Sequence, residues 1–490
     1  MATPPWLTHY GSLVPHNLGY PRQDVFALLR GAANQQPDKP AISFMGAKIT
    51  YAQLMDQIER LAGALARRGA HKGSRVIIMT PNSPQMAVAF FALLRMGAVP
   101  VLAPLIDDAD ELIARARQCG AMGLIVQNCL PESLSGLRNK LGLDLIVCAG
   151  QLDGLGPSVR LAQAFRRRLR PSAPDCRVVR EAGVERFGRL LKENAQPPQR
   201  PVLSLEAPAV IVHTRGAGGQ PRAVVLSHRA LAANLCQAAA WLRLNPGDGV
   251  LVLGPLIRGL GLCLGLGAAL VKGGCLILPS HEGPRAALSA IARRKPRFVA
   301  AEPGQLAALA DLPEARKLPK GHLAAVICDG PAPAADFAER VGELTGAALM
   351  ESYGLAEAGA MVAATPPGGQ RRSGALAPLM DVEMIIAGPD GQAVAPGQAG
   401  EICLRGPGLM SGYQTGGRPD DQILRDGWLP TGDLGRLDQD GLLSVLGRTQ
   451  DFAAQPRPLP ADDRPAPKAS RVHLRLCPAP ERARAASAEG

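Results

Sequence analysis

Apolar positions between Asp24 and Gly150 follow two alternating patterns. In "YAQLMDQIERLAGALARRGA" they recur at Leu54, Ile58, Leu61 and Leu65, the spacing of one helix face, and the run closes at Gly69. "RVIIMTPN" is a short apolar run that stops in a turn and predicts a buried strand. "PQMAVAFFALLRMGAVPV" predicts helix then strand, and "MGLIVQ" and "DLIVCA" predict two further strands. Strands alternating with helices predict a parallel sheet covered on both faces, so the fold class is α/β.

A weakly patterned, Arg-rich stretch runs from Gln151 to about Pro201. A second alternating block follows from Pro208 to about Thr365, with strands predicted at "AVIVH", "VLVLGP", "CLILP", "RFVAAEP" and "LAAVICDG". After "PPGGQRRSG" helical spacing vanishes. Short strands with turns at "PDGQ", "RDGW" and "QDG" predict a small β-rich subdomain. The expected divisions are a first α/β subdomain at about 24–207, a second at 208–372, the β-rich subdomain at 373–447, and a remainder at 448–490. That remainder is rich in Pro, Ala and Arg without sustained periodicity, which predicts a disordered or loosely attached tail.

Composition narrows the classes. A chain of 490 residues, 47% apolar and 20% charged, reads as a soluble globular protein of several units, and aromatics are scarce at 3%. The net charge of +12 comes from scattered Lys and Arg, so no nucleic-acid partner is expected. The exception is "FRRRLR" at Phe165 to Arg170, which reads as a solvated charged face or as a peripheral contact with a membrane or polyanion. The N-terminus lacks the basic and apolar regions of a signal peptide. The apolar run "GLGLCLGLGAALV" falls short of the roughly 20 residues a membrane span needs. Ten cysteines without a C-x-x-C pair or clustered His predict a reduced, cytoplasmic protein with buried thiols and no zinc site.

Three stretches carry candidate chemistry. In "VHTRGAGGQPRAVVLSHRAL" a strand ending at His213 leads into glycines whose backbone N–H groups can turn toward an anion. Arg222 and Ser227 follow just before a predicted helix. Taken alone, these residues read first as an ordinary Gly-rich turn. "MESYGLAEAG" offers Tyr353 as a flat face for a base and Glu357 as a magnesium ligand or, alternatively, a helix-start charge. "DGWLPTGDLGRLDQDGLLSVLGRTQDF" places Asp433 in a predicted tight turn, where a carboxylate can accept both hydrogens of a ribose diol, and Arg448 just past the last strand.

The order and separation of these stretches resembles the adenylate-forming superfamily, the acyl-CoA synthetases with their luciferase and peptide-synthetase relatives. Connecting segments such as "DKPAISFMGAKITYAQL", "NSPQMAVAFFALLRMGAVPV" and "GEICLRGPGLMSGYQ" are similar to bacterial long-chain fatty acid CoA ligases, and the resemblance covers about residues 5 to 451. It implies an AMP-binding N-terminal domain over 1–447, with ATP, Mg2+ and CoA as cofactors and a fatty acid or other carboxylate as substrate. Against the family's phosphate loop, T-[SG]-G-[ST]-T-G-x-P-K-G, this chain keeps Thr214, Gly216, Gly219 and Pro221. Arg222 replaces the Lys, and Ala217 and Gly218 stand where hydroxyls are usual. In the family's Y-G-x-T-E, Tyr353, Gly354 and Glu357 remain while Ala356 replaces the Thr. The resemblance gives Tyr353 the adenine and Glu357 the magnesium. Asp433 and Arg448 match the ribose-binding pair. The adenine-facing "GGAP" corresponds to Asp329, Gly330, Pro331 and Ala332, so Gly330 alone of its glycines is kept, and "P-L-F-H" at the acyl site becomes Pro255, Leu256, Ile257 and Arg258.

The family carries a mobile C-terminal lid whose lysine bridges carboxylate and ATP. Here the tail holds only Lys468, in "APKAS", outside any such motif, so the lid is expected to be missing. Three readings follow: an acyl-CoA ligase of impaired activity, a non-catalytic nucleotide- and acyl-binding protein, or a truncated gene product.

Overall fold

The computed structural model describes residues 4–12, 14–105, 109–127, 134–161, 165, 181–215, 221–330, 335–367, 372–415, 418–420, 424 and 426–449. Of the "FRRRLR" segment only Phe165 is among them, and it is exposed. Residues 450–490, Lys468 included, lie outside the described residues.

Three sheets make up the described molecule. In the first, Arg75–Met79 runs parallel to Val99–Leu102 on one side and Gly123–Gln127 on the other, with Leu145–Ala149 beyond. These strands are buried almost throughout, which is why their sequences are continuous apolar runs. The second sheet has a parallel centre, in spatial order Cys275–Ile277, Gly249–Val252, Phe298–Ala301, Ala325–Asp329 and Ala348–Tyr353. The third is antiparallel and built from Glu383–Ala387, Ala399–Arg405, Leu429–Leu437 and Leu443–Arg448.

Sheet membership departs from the order of the blocks in the sequence. Strands Pro40–Phe44 and Ala47–Thr50 belong by position to the first block but extend the second sheet, with Ile42 beside Leu276. In return Pro208–Arg215 and Pro221–Ser227 complete the first sheet, Ile211 lying beside Val101. Gly412–Thr415 adds to the same edge, Gly412 against Val225. The expected boundary at 207/208 therefore divides the sequence without dividing the sheets. Periodicity marks which residues are buried strand, whereas the choice of neighbour is made by tertiary packing.

A second difference concerns the candidate phosphate loop. The expected order was strand, loop, helix. Instead the chain returns as an antiparallel strand, Thr214 opposite Arg222 and Val212 opposite Val224, before the helix His228–Trp241 begins. Ser227 caps that helix, its Oγ accepting the Ala230 N–H at 3.1 Å, so this hydroxyl is committed to the helix end rather than to an anion.

The apolar run near residue 260 forms a buried π-helical segment, Gly261–Ala269. Its glycines allow close approach: a methyl group at Gly265 would fall 2.6 Å from Val252 Cγ2, and one at Gly267 would fall 2.2 Å from Leu235 Cδ2. Among the described residues no helix is long and apolar enough to cross a membrane.

Candidate functional site

Parallel strands all release their chain at the same sheet edge, and the second sheet uses that edge to form a cavity of about 590 Å³. Gly254, Pro255 and Arg258 enter it after strand Gly249–Val252, Glu302 and Pro303 after Phe298–Ala301, Asp329 and Gly330 at the end of Ala325–Asp329, and Gly354 after Ala348–Tyr353. His213 and Thr214, near the end of Pro208–Arg215, close it from the first sheet. The strand exchange thus brings Thr214 to the second sheet's ligand edge.

Glu357 sits in a single 3₁₀ turn, Ala356–Ala358, anchored where its carbonyl accepts the Met410 N–H at 2.8 Å. Its Oε1 accepts the Tyr413 hydroxyl at 3.0 Å and, more weakly, the Thr214 hydroxyl at 3.4 Å. Burial and the Glu357 charge push the Tyr413 phenol up to about 12, which keeps it a donor at neutral pH. The exposed Arg222 guanidinium stands 5.2 Å from the Tyr413 ring centroid, a cation–π distance. Thr214, Arg222 and Glu357 therefore form one polar cluster with Tyr413. Gly216 and Gly219 lie outside the described residues.

The second cluster lies on the third sheet. Asp433 is inside the strand Leu429–Leu437, not in a turn; the glycine before it, Gly432, takes φ +73°, which gave the segment its turn-like sequence. Asp433 and Arg448 are register partners on adjacent antiparallel strands, and Arg448 Nε approaches Asp433 Oδ1 at 3.1 Å. Tyr353 donates its hydroxyl to Asp433 Oδ2 at 2.7 Å. Burial, reinforced by the Asp433 charge, drives the Tyr353 phenol well above its ordinary range. Glu401 and Thr431 hold the strand from beneath, accepting the Gly432 and Asp433 N–H groups at 2.9 and 3.1 Å. Since Gly354 lines the cavity, Tyr353 links this carboxylate to the cavity wall.

Both retained glycines have structural causes. A methyl group at Gly354 would fall 1.2 Å from the Ala360 carbonyl oxygen. Gly330 adopts φ +137°, and a methyl group there would press on Pro303 Cδ at 3.1 Å.

Two titratable side chains in the cavity were not expected to act. Asp329 is largely enclosed, and burial pushes its carboxyl up to about 6 despite the Leu260 N–H, which it accepts at 3.3 Å. Burial lowers His213 to about 4, so the ring is neutral; it lies 3.3 Å from the Leu102 carbonyl oxygen and 3.7 Å from Cys119 Sγ. Arg258 pairs with Glu302 at 3.1 Å at the exposed rim.

Among the described residues no three His, Cys, Asp or Glu side chains converge on a protein-only metal site. One carboxylate, Glu357, beside one hydroxyl, Thr214, is the sparse donor set that suits magnesium arriving on phosphates.

The fold is shared with solved coenzyme A ligases. O-succinylbenzoate coenzyme A synthetase of Bacillus subtilis, solved in complex with ATP and magnesium ion, matches with a TM-score of 0.71 at 22% identity, over 88% of this chain and 80% of that one. The chain belongs to the AMP-binding enzyme family, which matches residues 29–414. It is 30% identical over 462 residues to the long-chain-fatty-acid–CoA ligase of Salmonella typhimurium, covering 91% of this chain and 81% of the relative. It is also 30% identical over 424 residues to a feruloyl-CoA synthase of Amycolatopsis, covering 86% and 77%.

Proposed function

We propose that this protein activates a carboxylic acid, with medium- and long-chain fatty acids as the leading class, as an acyl-adenylate and transfers the acyl group to CoA, with weakened phosphate-side catalysis. The carrying observation is that Thr214, in the wall of the strand-end cavity, reaches Glu357 with its hydroxyl, while Tyr353, next to the lining Gly354, holds Asp433. In the reaction a carboxylate oxygen attacks the α-phosphorus of ATP and pyrophosphate leaves; the CoA thiolate then attacks the acyl carbonyl and AMP leaves. Thr214 donates its hydroxyl to the phosphates and Arg222 supplies positive charge beside them. Asp433 accepts the ribose diol, Arg448 orients that carboxylate, and Tyr353 faces the base. Gly330 and Gly354 keep the cavity wall free of side chains. Glu357 would hold magnesium, whose charge would neutralise that of the phosphates.

Such chemistry depends on positioned donors more than on a general base. Ala217, Gly218 and Ala356 supply no hydroxyl. A charge-assisted hydrogen bond contributes about 1.5–3 kcal/mol, and each 1.36 kcal/mol is about tenfold in rate, so these positions support a slow enzyme. The same contrast, a retained ribose site with a depleted phosphate side, supports a second reading as a non-catalytic nucleotide-binding protein. We place either activity in the cytoplasm, and the basic segment "FRRRLR" at 165–170 supports peripheral contact with anionic membrane surfaces that hold acyl substrates.

Pyrophosphate release is the test. Mixing protein, ATP, magnesium and acids of graded chain length or aromatic character should give acid-dependent release. Heat of AMP binding without release favours the second reading, and neither signal sinks both.

A further inference from the structure

The strand-end cavity is lined both by Thr214 and by Pro255 and Arg258, which match the family's acyl-site segment, and it carries a carboxylate that the chemistry above leaves idle. Asp329 ends the strand Ala325–Asp329 and faces the cavity. Its Oδ2 accepts only the long hydrogen bond from Leu260 N at 3.3 Å, and Oδ1 accepts none among the described residues. A methyl group at Gly259 would lie 2.6 Å from Oδ2, so a glycine leaves the space this carboxylate occupies. Val252, Leu260, Ala300 and Pro303 make the neighbouring wall apolar.

Arg258 forms its ion pair with Glu302 at the rim, and its charge reaches Asp329 only at longer range. Among the described residues lining the cavity, Asp329 and Glu302 set two negative charges against the single positive charge of Arg258, and His213 is neutral. With its carboxyl at about 6, Asp329 is mostly ionised at pH 7. A plain alkyl chain packed against it removes its remaining water and returns no hydrogen bond, whereas an N–H or O–H group on the acid returns one.

We propose that Asp329 makes this pocket select carboxylic acids whose body carries an ammonium or hydroxyl group, in preference to plain hydrocarbon acids. The inference rests on reading the cavity as the acyl site. It narrows the acid from any fatty or aromatic carboxylate to one bearing a hydrogen-bond donor, and the net negative charge favours ammonium over hydroxyl.

Two matched sets of acids test it: octanoate with its terminal amino and hydroxy derivatives, and benzoate with aminomethylbenzoates and hydroxybenzoates. Binding is measured by calorimetry, and pyrophosphate release is followed separately, for the wild-type chain, Asp329→Asn and Asp329→Ala. Asn keeps an acceptor for Leu260 N and Ala removes it, and thermal melting of both variants checks the fold. In the wild type the best donor-bearing acid of at least one set should bind about tenfold or more tightly than its plain parent. Both variants should bring that ratio near unity, with Asn penalising the ammonium more than the hydroxyl. A wild type that binds plain acids equally well, or binds no acid, overturns the proposal, as does a preference that persists in both folded variants. Selective binding without pyrophosphate release counts against the ligase reading alone; release without selectivity counts against this inference alone.

Discussion

Replacing Asp433 by Asn separates nucleotide recognition from folding, because its partners differ in what they contribute to each. The change keeps the shape of the side chain and removes its charge. Asp433 is 15% exposed, so a ribose hydroxyl donating to it makes a charge-assisted bond sheltered from solvent, worth about 1.5–3 kcal/mol. Its loss should weaken AMP binding by about ten- to 150-fold, at about 1.4 kcal/mol per decade. The folding cost should be smaller. Arg448 is 60% exposed, and pairs of that kind contribute about 0–1 kcal/mol, while the Tyr353 hydroxyl can still donate to the amide oxygen. Calorimetric titration with AMP gives the first quantity and urea unfolding the second. An AMP affinity within about twofold of the wild type would refute the ribose role. A loss of affinity matched by an equal loss of stability would show that Asp433 acts through the fold instead.

Two further outcomes follow from geometry already described. Gly354→Ala places a methyl carbon on the Ala360 carbonyl oxygen and should lower unfolding free energy by about 3 kcal/mol or more, read from the urea midpoint; wild-type stability in this variant refutes the contact. His213 and Asp329 should act in opposite directions under acid. The folded state depresses His213 from 6.5 to about 4, so the unfolded chain binds more protons between those values and stability falls as pH drops through the window. Asp329 is raised from 3.8 to about 6, so its contribution to stability grows as pH drops from 6 toward 3.8. Each effect is bounded at about 3 kcal/mol. His213→Asn should therefore resist acid better than the wild type, and Asp329→Asn worse; equal acid sensitivity in unfolding curves at pH 4 and 7 refutes both shifts.

What the sequence disclosed depended on whether the signal was local. Strands such as Arg75–Met79 and Gly123–Gln127 were legible because burial on both faces leaves an apolar run, and the helix Tyr51–Ala66 because one face repeats every three or four residues. The exchange of Pro40–Thr50 and Pro208–Ser227 between sheets was not, since pairing depends on partners more than 100 residues away. The return strand Pro221–Ser227 hid behind the glycines that precede it and the helix that follows. At the site, Thr214, Glu357, Asp433 and Arg448 stood out through motif spacing, yet Tyr413 did not, because it lies in the connecting segment "GEICLRGPGLMSGYQ", to which no chemistry was attached. A weaker signal was present: the chain has only five tyrosines, and every one places its hydroxyl in a hydrogen bond, two of them on Glu357 and Asp433. Asp329 was visible only as a departure from a glycine position, and its Oδ1, without a hydrogen bond among the described residues, required the three-dimensional surroundings.

The crossed sheet membership also sets a timetable for synthesis. Strand Pro40–Phe44 leaves the ribosome early, but its parallel partner Cys275–Ile277 is made more than 200 residues later. At about 5–20 residues per second that interval is on the order of ten to forty seconds, during which a strand that ends up almost wholly buried has only its hairpin partner Ala47–Thr50 beside it and its other edge open. The first sheet likewise stays open at one edge until the segment through Ser227 has been translated. A nascent chain stalled near residue 207 should therefore expose apolar strand edges at both places and bind chaperones that recognise them, and a gene split at that point should yield two halves that fold only when produced together.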